Sequence, residues 1–334
     1  MVWEDDVVRL IARCGLAAAA VLLASGGEMP ATASPAHASA SSNFLVVTGS
    51  GSDFQVESPS TGGLVKNLGA IPGWTNNGLA LSPDGQDVYV VVNEPGSLVI
   101  DRLSVADGSR TFVADGEQPS ISPDGRLLAF GTGALPSGGQ TLAVRNLTSG
   151  KDQTIDLRRL LGGQTDLLNA SITWLGDGSK VVVLPGGVAN DLMGGATPRA
   201  LSGSCSAVSA NDTCLIVVSV RAGHPLTAKR VLLGGLGQGL PIIGASGSSD
   251  VLTMAFVDHR TSVYAADLTN GARRFTRLFS LPTVLPLAFR ARGTELFYLT
   301  GHGPIALWLA RVTSSGLKDA KLLNADIGLN GFAG

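Results

Sequence analysis

Charge is scarce in this chain. Asp, Glu, Lys and Arg together make up 15% of its 334 residues, and the net charge is −2. No basic stripe breaks that neutrality, which argues against nucleic acid as a partner. Familiar catalytic signatures are missing too. There is no G-x-S-x-G elbow, no H-E-x-x-H, no phosphate loop and no further hydrolase domain for a scaffold to gate. Nor is there an uninterrupted apolar run of the roughly 20 residues that a transmembrane helix needs. What the chain does have is 44% hydrophobic residues and 44 glycines. That is ample material for a large core, with many tight turns and no collagen period.

The N-terminus reads as a targeting segment. Gly15 to Ser25 is a short apolar run, preceded by Arg9 and Arg13. A Pro/Ala/Ser stretch follows, and Ala36-His37-Ala38 and Ala38-Ser39-Ala40 offer the small residues a signal peptidase reads. Residues 1–40 are therefore expected to be a signal peptide and linker, and 41–334 a single exported domain. An uncleaved signal anchor is the alternative. Cys14 precedes the apolar run and follows Arg13, which is the wrong place for a lipidation site.

From Asn43 onward one pattern recurs. LALSPDGQDVYVVV (Leu79 to Val92) and PSISPDGRLLAFG (Pro119 to Gly131) share a turn whose glycines, Gly85 and Gly125, sit about forty residues apart, the length of a four-stranded propeller blade. Pro presets the first corner of that turn and Gly takes the left-handed position. Degenerate copies are read at Leu175 to Gly178, Ala210 to Asp212, Gly247 to Asp250 and Ala291 to Gly293. A second series runs in the same register: Ser60-Thr61-Gly62, Ala106-Asp107-Gly108, Thr148-Ser149-Gly150, Thr269-Asn270-Gly271 and Ser314-Ser315-Gly316.

On these residues the chain resembles TolB-like, WD40-like propellers. The stretch Asp87 to Gly108 also resembles the YVTN type of bacterial propeller repeat. The resemblance implies a fold and a general habit of binding partners; it implies no single activity.

The expected architecture is all-β: a seven-bladed β-propeller of four-stranded antiparallel sheets, with six blades as the alternative. Blades are read at 75–115, 117–157, 168–203, 204–236, 239–281 and 284–324. The seventh would join the strands of Asn43 to Gly69 with a lone strand in Ala325 to Gly334, closing the ring and hiding its edges. Asp156 to Leu168 is read as an insertion that holds a short helix.

In such a fold, fourth-to-first and second-to-third connections share one face, and the SPDG turns lie on the other. The first face is expected to bind ligand. It is predicted to carry Trp74, Asn76, Asn77 and Glu117 on fourth-to-first connections. Glu94, His224, Asp258, His259, Arg260 and His302 are predicted on second-to-third ones. Loops on neighbouring blades are about 10 Å apart, too far for three imidazoles to share an ion that needs each at about 2 Å, so no metal site is expected. Trp74 reads either as a stacking platform or as a core residue. Cys205 and Cys214 flank a predicted turn and are expected to pair in an exported chain, two buried thiols being the alternative. The function this supports is a non-catalytic binding or scaffold module outside the cytoplasm. It would be a monomer without cofactor, recognising a protein, peptide or cell-envelope ligand. A lactonase-like propeller hydrolase is the alternative.

Overall fold

The computed structural model describes residues 44–48, 53–57, 64–132, 140–162, 170–175, 178–184, 205, 212–234, 242–248, 251–258, 260–268, 276–281, 289–292, 295–300, 305–313, 316–327 and 332–333. The expected leader, 1–40, lies outside them. The described residues form six four-stranded antiparallel sheets. Sheet I contains β1 (Phe44–Thr48), β2 (Asp53–Glu57), β3 (Leu64–Ala70) and, from the far end of the chain, β24 (Phe332–Ala333). Sheet II contains β4 (Trp74–Leu81), β5 (Asp87–Glu94), β6 (Ser97–Ser104) and β7 (Arg110–Asp115). Sheet III contains β8 (Glu117–Ile121), β9 (Leu127–Thr132), β10 (Thr141–Asn146) and β11 (Asp152–Asp156). The short helix α1 (Arg158–Leu161) follows, within the predicted insertion. Sheet IV contains β12 (Ser171–Trp174), β13 (Lys180–Leu184), β14 (Asp212–Ser219) and β15 (Thr227–Gly234). Sheet V contains β16 (Ile242–Ser248), β17 (Val251–Asp258), β18 (Arg260–Asp267) and β19 (Thr276–Leu281). Sheet VI contains β20 (Phe289–Arg292), β21 (Glu295–Thr300), β22 (Ile305–Thr313) and β23 (Gly316–Ile327).

Among the described residues, 168–203 and 204–236, read as two blades, supply the four strands of sheet IV. Residues 185–204 and 206–211, which lie between β13 and β14 in the chain, fall outside the described residues. The terminal pairing does form. Leu45 lies opposite Ala333 and Val46 opposite Phe332, so sheet I takes its first strand from the other end of the chain. Among the described residues Phe332–Ala333 do this, while Ile327, expected at the start of the same strand, instead ends β23.

The sheets meet along their first strands. β24 contacts β4, β4 contacts β8, β8 contacts β12, β12 contacts β16, and β16 contacts β20. The second strand β5 is thus covered on both faces, which is why it reads as continuously apolar. In β5, Val88, Val90 and Val92 face Phe54 and Val56 of sheet I. Tyr89 and Val91 face Leu128, Phe130 and Ala143 of sheet III. Burial there pushes the Tyr89 phenol up to about 12, with Asp87 adding to the shift. A third cluster joins sheets III and IV, where the buried Trp174 ring donates to the Ser120 carbonyl at 2.9 Å.

The SPDG turns are closed by their own side chains. Ser82 Oγ donates to Asp84 Oδ1 at 2.6 Å and accepts from the Asp87 N–H at 2.9 Å. Ser122 repeats this with Asp124 and Leu127 at the same distances. Gly85, Gly125 and Gly178 take φ of 72°, 73° and 69°, as the turn requires. Successive turns also nest. A Cβ on Gly125 would sit 3.5 Å from Pro83 of the preceding sheet, and one on Gly178 3.7 Å from Pro123. In the other series, the Ser109 N–H bonds Asp107 at 2.9 Å and holds its carboxyl down to about 2.

Candidate functional site

Two inner strands depart from regular pairing at the same place. In β4 the ladder to β5 jumps from Trp74 opposite Val92 to Leu79 opposite Val90. Thr75, Asn76, Asn77 and Gly78 therefore stand against Val91 alone. In β8 the ladder to β9 jumps from Glu117 opposite Gly131 to Ser120 opposite Ala129, so Gln118 and Pro119 stand against Phe130. Such bulges free backbone groups and turn the strand. The two bulges touch. A Cβ on Gly78 would lie 2.7 Å from Pro119 Cδ and 2.8 Å from Gln118 Cα, so glycine is the residue that lets the strands approach.

The connections into these strands are short. Sheet II is entered through Ile71 to Gly73, and the Gly73 carbonyl accepts from the Asn93 N–H at 2.7 Å. Sheet III is entered through Gly116 alone, whose N–H donates to the Leu98 carbonyl at 2.8 Å. A Cβ there would come within 2.5 Å of the Gly131 carbonyl oxygen. Glu117 is consequently buried at the start of β8.

Of the predicted site residues, Trp74, Asn76, Asn77 and Glu117 come together on this bulge pair. Trp74 packs edge-to-face on Phe54, with ring centroids 5.3 Å apart, and joins the cluster between sheets I and II. Its indole N–H is buried without a hydrogen-bond partner among the described residues. Glu94 lies at the β5–β6 turn and engages Arg110 Nη2 at 3.3 Å, while Arg110 Nε bonds the buried Asp101. Asp258 and Arg260 lie opposite each other at the β17–β18 turn, a second-to-third connection as expected. His259 and His302 lie outside the described residues.

His224 is a correction. It sits between β14 and β15, which are the third and fourth strands of sheet IV. The Val220 N–H donates to Ser179 O at 2.8 Å, as Val105 does to Gln86 and Leu147 to Arg126. His224 therefore belongs to the end of the SPDG turns. Its expected place depended on reading 204–236 as a blade of its own, whereas β14 and β15 complete the sheet begun by β12 and β13. The same error made a first-to-second turn of Ala210 to Asp212, which precede a third strand.

Cys205 and Cys214 form a disulfide, with Cα atoms 5.4 Å apart. Cys214 is in β14, while Cys205 lies outside any strand and packs against the sheet III–IV core. The bond therefore pins the long second-to-third connection rather than crossing a hairpin. Among the described residues, no three of His, Cys, Asp and Glu are grouped as metal ligands. No helix among them is long and apolar enough to cross a membrane. The residues missed in the sequence are Gln118 and Gly78. The signal for them was Gly116 one residue after a strand and Pro119 soon afterwards.

No family model matches the chain, and no curated protein does. Solved structures do. TolB from Acinetobacter baumannii superposes with a TM-score of 0.57 at 14% identity over 87% of this chain, which spans 65% of that TolB. A chain of a nidogen/laminin complex gives 0.54 at 15% identity, covering 87% of this chain and 97% of its own. A putative TolB from Agrobacterium tumefaciens gives 0.52 at 14% identity, covering 86% and 91%. In fold, the chain is a β-propeller, similar to those of TolB.

Proposed function

We propose that residues 41–334 form one exported, non-catalytic binding domain. Its ligand is a protein, a peptide or a cell-envelope component, held at the end that carries the fourth-to-first and second-to-third connections. The bulge pair of β4 and β8 carries this reading: it removes backbone groups from the ladder on the inner strands, in the stretches of sequence that hold Asn76, Asn77 and Glu117. At the opposite end, Ser82, Asp84, Ser122 and Asp124 are committed to closing turns. The disulfide suits an oxidising compartment, in keeping with the N-terminal apolar run. One of the similar structures is, by name, a complex between two proteins.

The test is capture of envelope components by the purified full chain, followed by substitutions at each end. Asn76→Lys with Arg260→Glu alters the proposed face. Arg126→Glu with His224→Glu alters the other while sparing the turn-closing residues. The first pair is expected to abolish capture and the second to leave it intact. Loss with the second pair alone, in a folded protein, reverses the assignment.

A further inference from the structure

Sheet I is fastened differently from the other described sheets. Sheets II to VI each take four strands from one continuous stretch of chain, whereas sheet I takes its first strand from the far end. That strand is also the shortest of its kind. β24 has two residues, while β4, β8, β12, β16 and β20 have four to eight. Two ladder positions hold it, Leu45 opposite Ala333 and Val46 opposite Phe332. On its other side β1 pairs with β2 at all five residues. Phe44, Val47 and Thr48 have no ladder partner in β24.

The seam beside β24 is the slightest as well. First strands of neighbouring sheets touch in turn from β24 round to β20. Among the described residues, β20 and β24, which would complete the circuit, meet less than any of those pairs do. Only residues 328–331, two of them glycine, join β23 to β24. A connection that short leaves little slack, and short hinges are where strand exchange arises.

Nothing in the pairing of β1 with β24 requires both strands to belong to one molecule. The same two residues of another copy would meet the same backbone groups in the same register. We propose that β24 is an exchangeable strap: the inner edge of β1 accepts this segment from a second copy of the chain, giving a dimer in which each sheet I is completed by its partner. Exchange keeps every ladder pairing and changes only the connection. Two-fold exchange closes on itself, so the product is a dimer and not an open fibre. The occupant follows from the structure, since the segment seated on β1 is this chain's own. The chain's own strap competes at an effective concentration on the order of 1 mM, the value for a short flexible link. The exchange uses none of the residues assigned to the ligand face.

The experiment uses the full chain carrying Cys14→Ser. Leu45→Cys and Ala333→Cys are made separately, co-refolded in equal amounts at about 1 mM and gently oxidised. Opposed Cα atoms in a ladder lie about 4.5–5.5 Å apart, within reach of a disulfide. The expected product is a covalent heterodimer, with peptide mapping placing its bond between the two introduced thiols. The parent is expected to sediment as a dimer at the same concentration. Phe332→Pro removes a backbone donor from the strap, and adding it is expected to abolish both. The double variant Leu45→Cys/Ala333→Cys separates the failures. If it closes an internal bond while the mixture yields no heterodimer, β24 seats only on its own β1 and the exchange is wrong. If neither bond forms, β24 does not seat on β1 and the inference falls with that pairing. A heterodimer that survives Phe332→Pro overturns it too, because the strap is then not what joins the copies.

Discussion

Replacing Gly78 by alanine tests whether sheets II and III are fitted together through the bulge pair. Two costs arise. The first is backbone strain: φ is +125°, where a side chain is disfavoured by about 1–3 kcal/mol. The second is the clash. The new Cβ would sit 2.7 Å from Pro119 Cδ and 2.8 Å from Gln118 Cα, where carbon atoms prefer about 3.5–4.0 Å. A proline ring and a backbone carbon cannot swing aside, so the strands must part. Overpacking of that kind costs about 1–3 kcal/mol. The expected total is about 2–6 kcal/mol, a large share of a stability of about 5–15 kcal/mol. Gly108→Ala isolates the backbone cost, because φ there is +76° and nothing lies within 4 Å of the added carbon. The assay is urea unfolding, followed by far-ultraviolet circular dichroism and by tryptophan fluorescence. If Gly78→Ala lowers stability no more than Gly108→Ala does, the close approach of β4 and β8 is wrong.

Two further predictions follow from the disulfide and from Tyr89. Cys205→Ser with Cys214→Ser is expected to lower stability by about 2–3 kcal/mol, from the entropy of a loop with a sequence separation of 9; a non-reduced peptide map showing both thiols free in the parent would contradict the bond. Tyr89 should be the last phenol to ionise, at about 12, because its anion is buried and faces Asp87. A tyrosine with a raised native value contributes stability that is whole below the unfolded value of 10 and is lost as the pH climbs through 12. The alkaline unfolding limb should therefore move upward in Tyr89→Phe, and absorbance at alkaline pH should show one phenol fewer in the late step.

Much of the fold can be read from local chemistry. Proline, aspartate and glycine at Pro83 to Gly85 specify a turn wherever they stand, and the terminal pairing follows from a strand missing at one end and spare at the other. The third-to-fourth turns can be read the same way: Gly108, Gly150 and Gly223 take positive φ in those turns of sheets II, III and IV. Gly223, at φ +74°, went unread because Arg221-Ala222 breaks the usual polar pair before it, and because the interval from Gly150 is long. The bulges were out of reach for another reason. Whether Gly78 can bear a side chain depends on where Pro119 lies, and that depends on two sheets docking. No periodicity within β4 encodes it. Trp74 shows the same limit, since only the position of Phe54 decides between stacking platform and packing residue.

The two ends of the molecule are under different constraints, and that difference is what makes one of them available to a ligand. At the SPDG end, two successive turns rest on the next sheet's turn, through Pro83 on Gly125 and Pro123 on Gly178. Adding or removing a residue there would break a contact between sheets as well as a hairpin. Accordingly Ser82 to Gln86 and Ser122 to Arg126 are the same length and use the same hydrogen bonds. The second-to-third connections differ: at Gly96, in the one that is described in full, an added Cβ would meet nothing within 4 Å. They run from two residues at Pro95-Gly96 to the whole of 185–211, and closing a longer loop costs entropy that grows only slowly with length. Cys205, within the longest of them, is bonded to Cys214 of β14 and packs against the core between sheets III and IV. Length and chemistry can therefore vary at this end while the ladder register stays fixed, and the bulges of β4 and β8 open toward the end where that freedom exists.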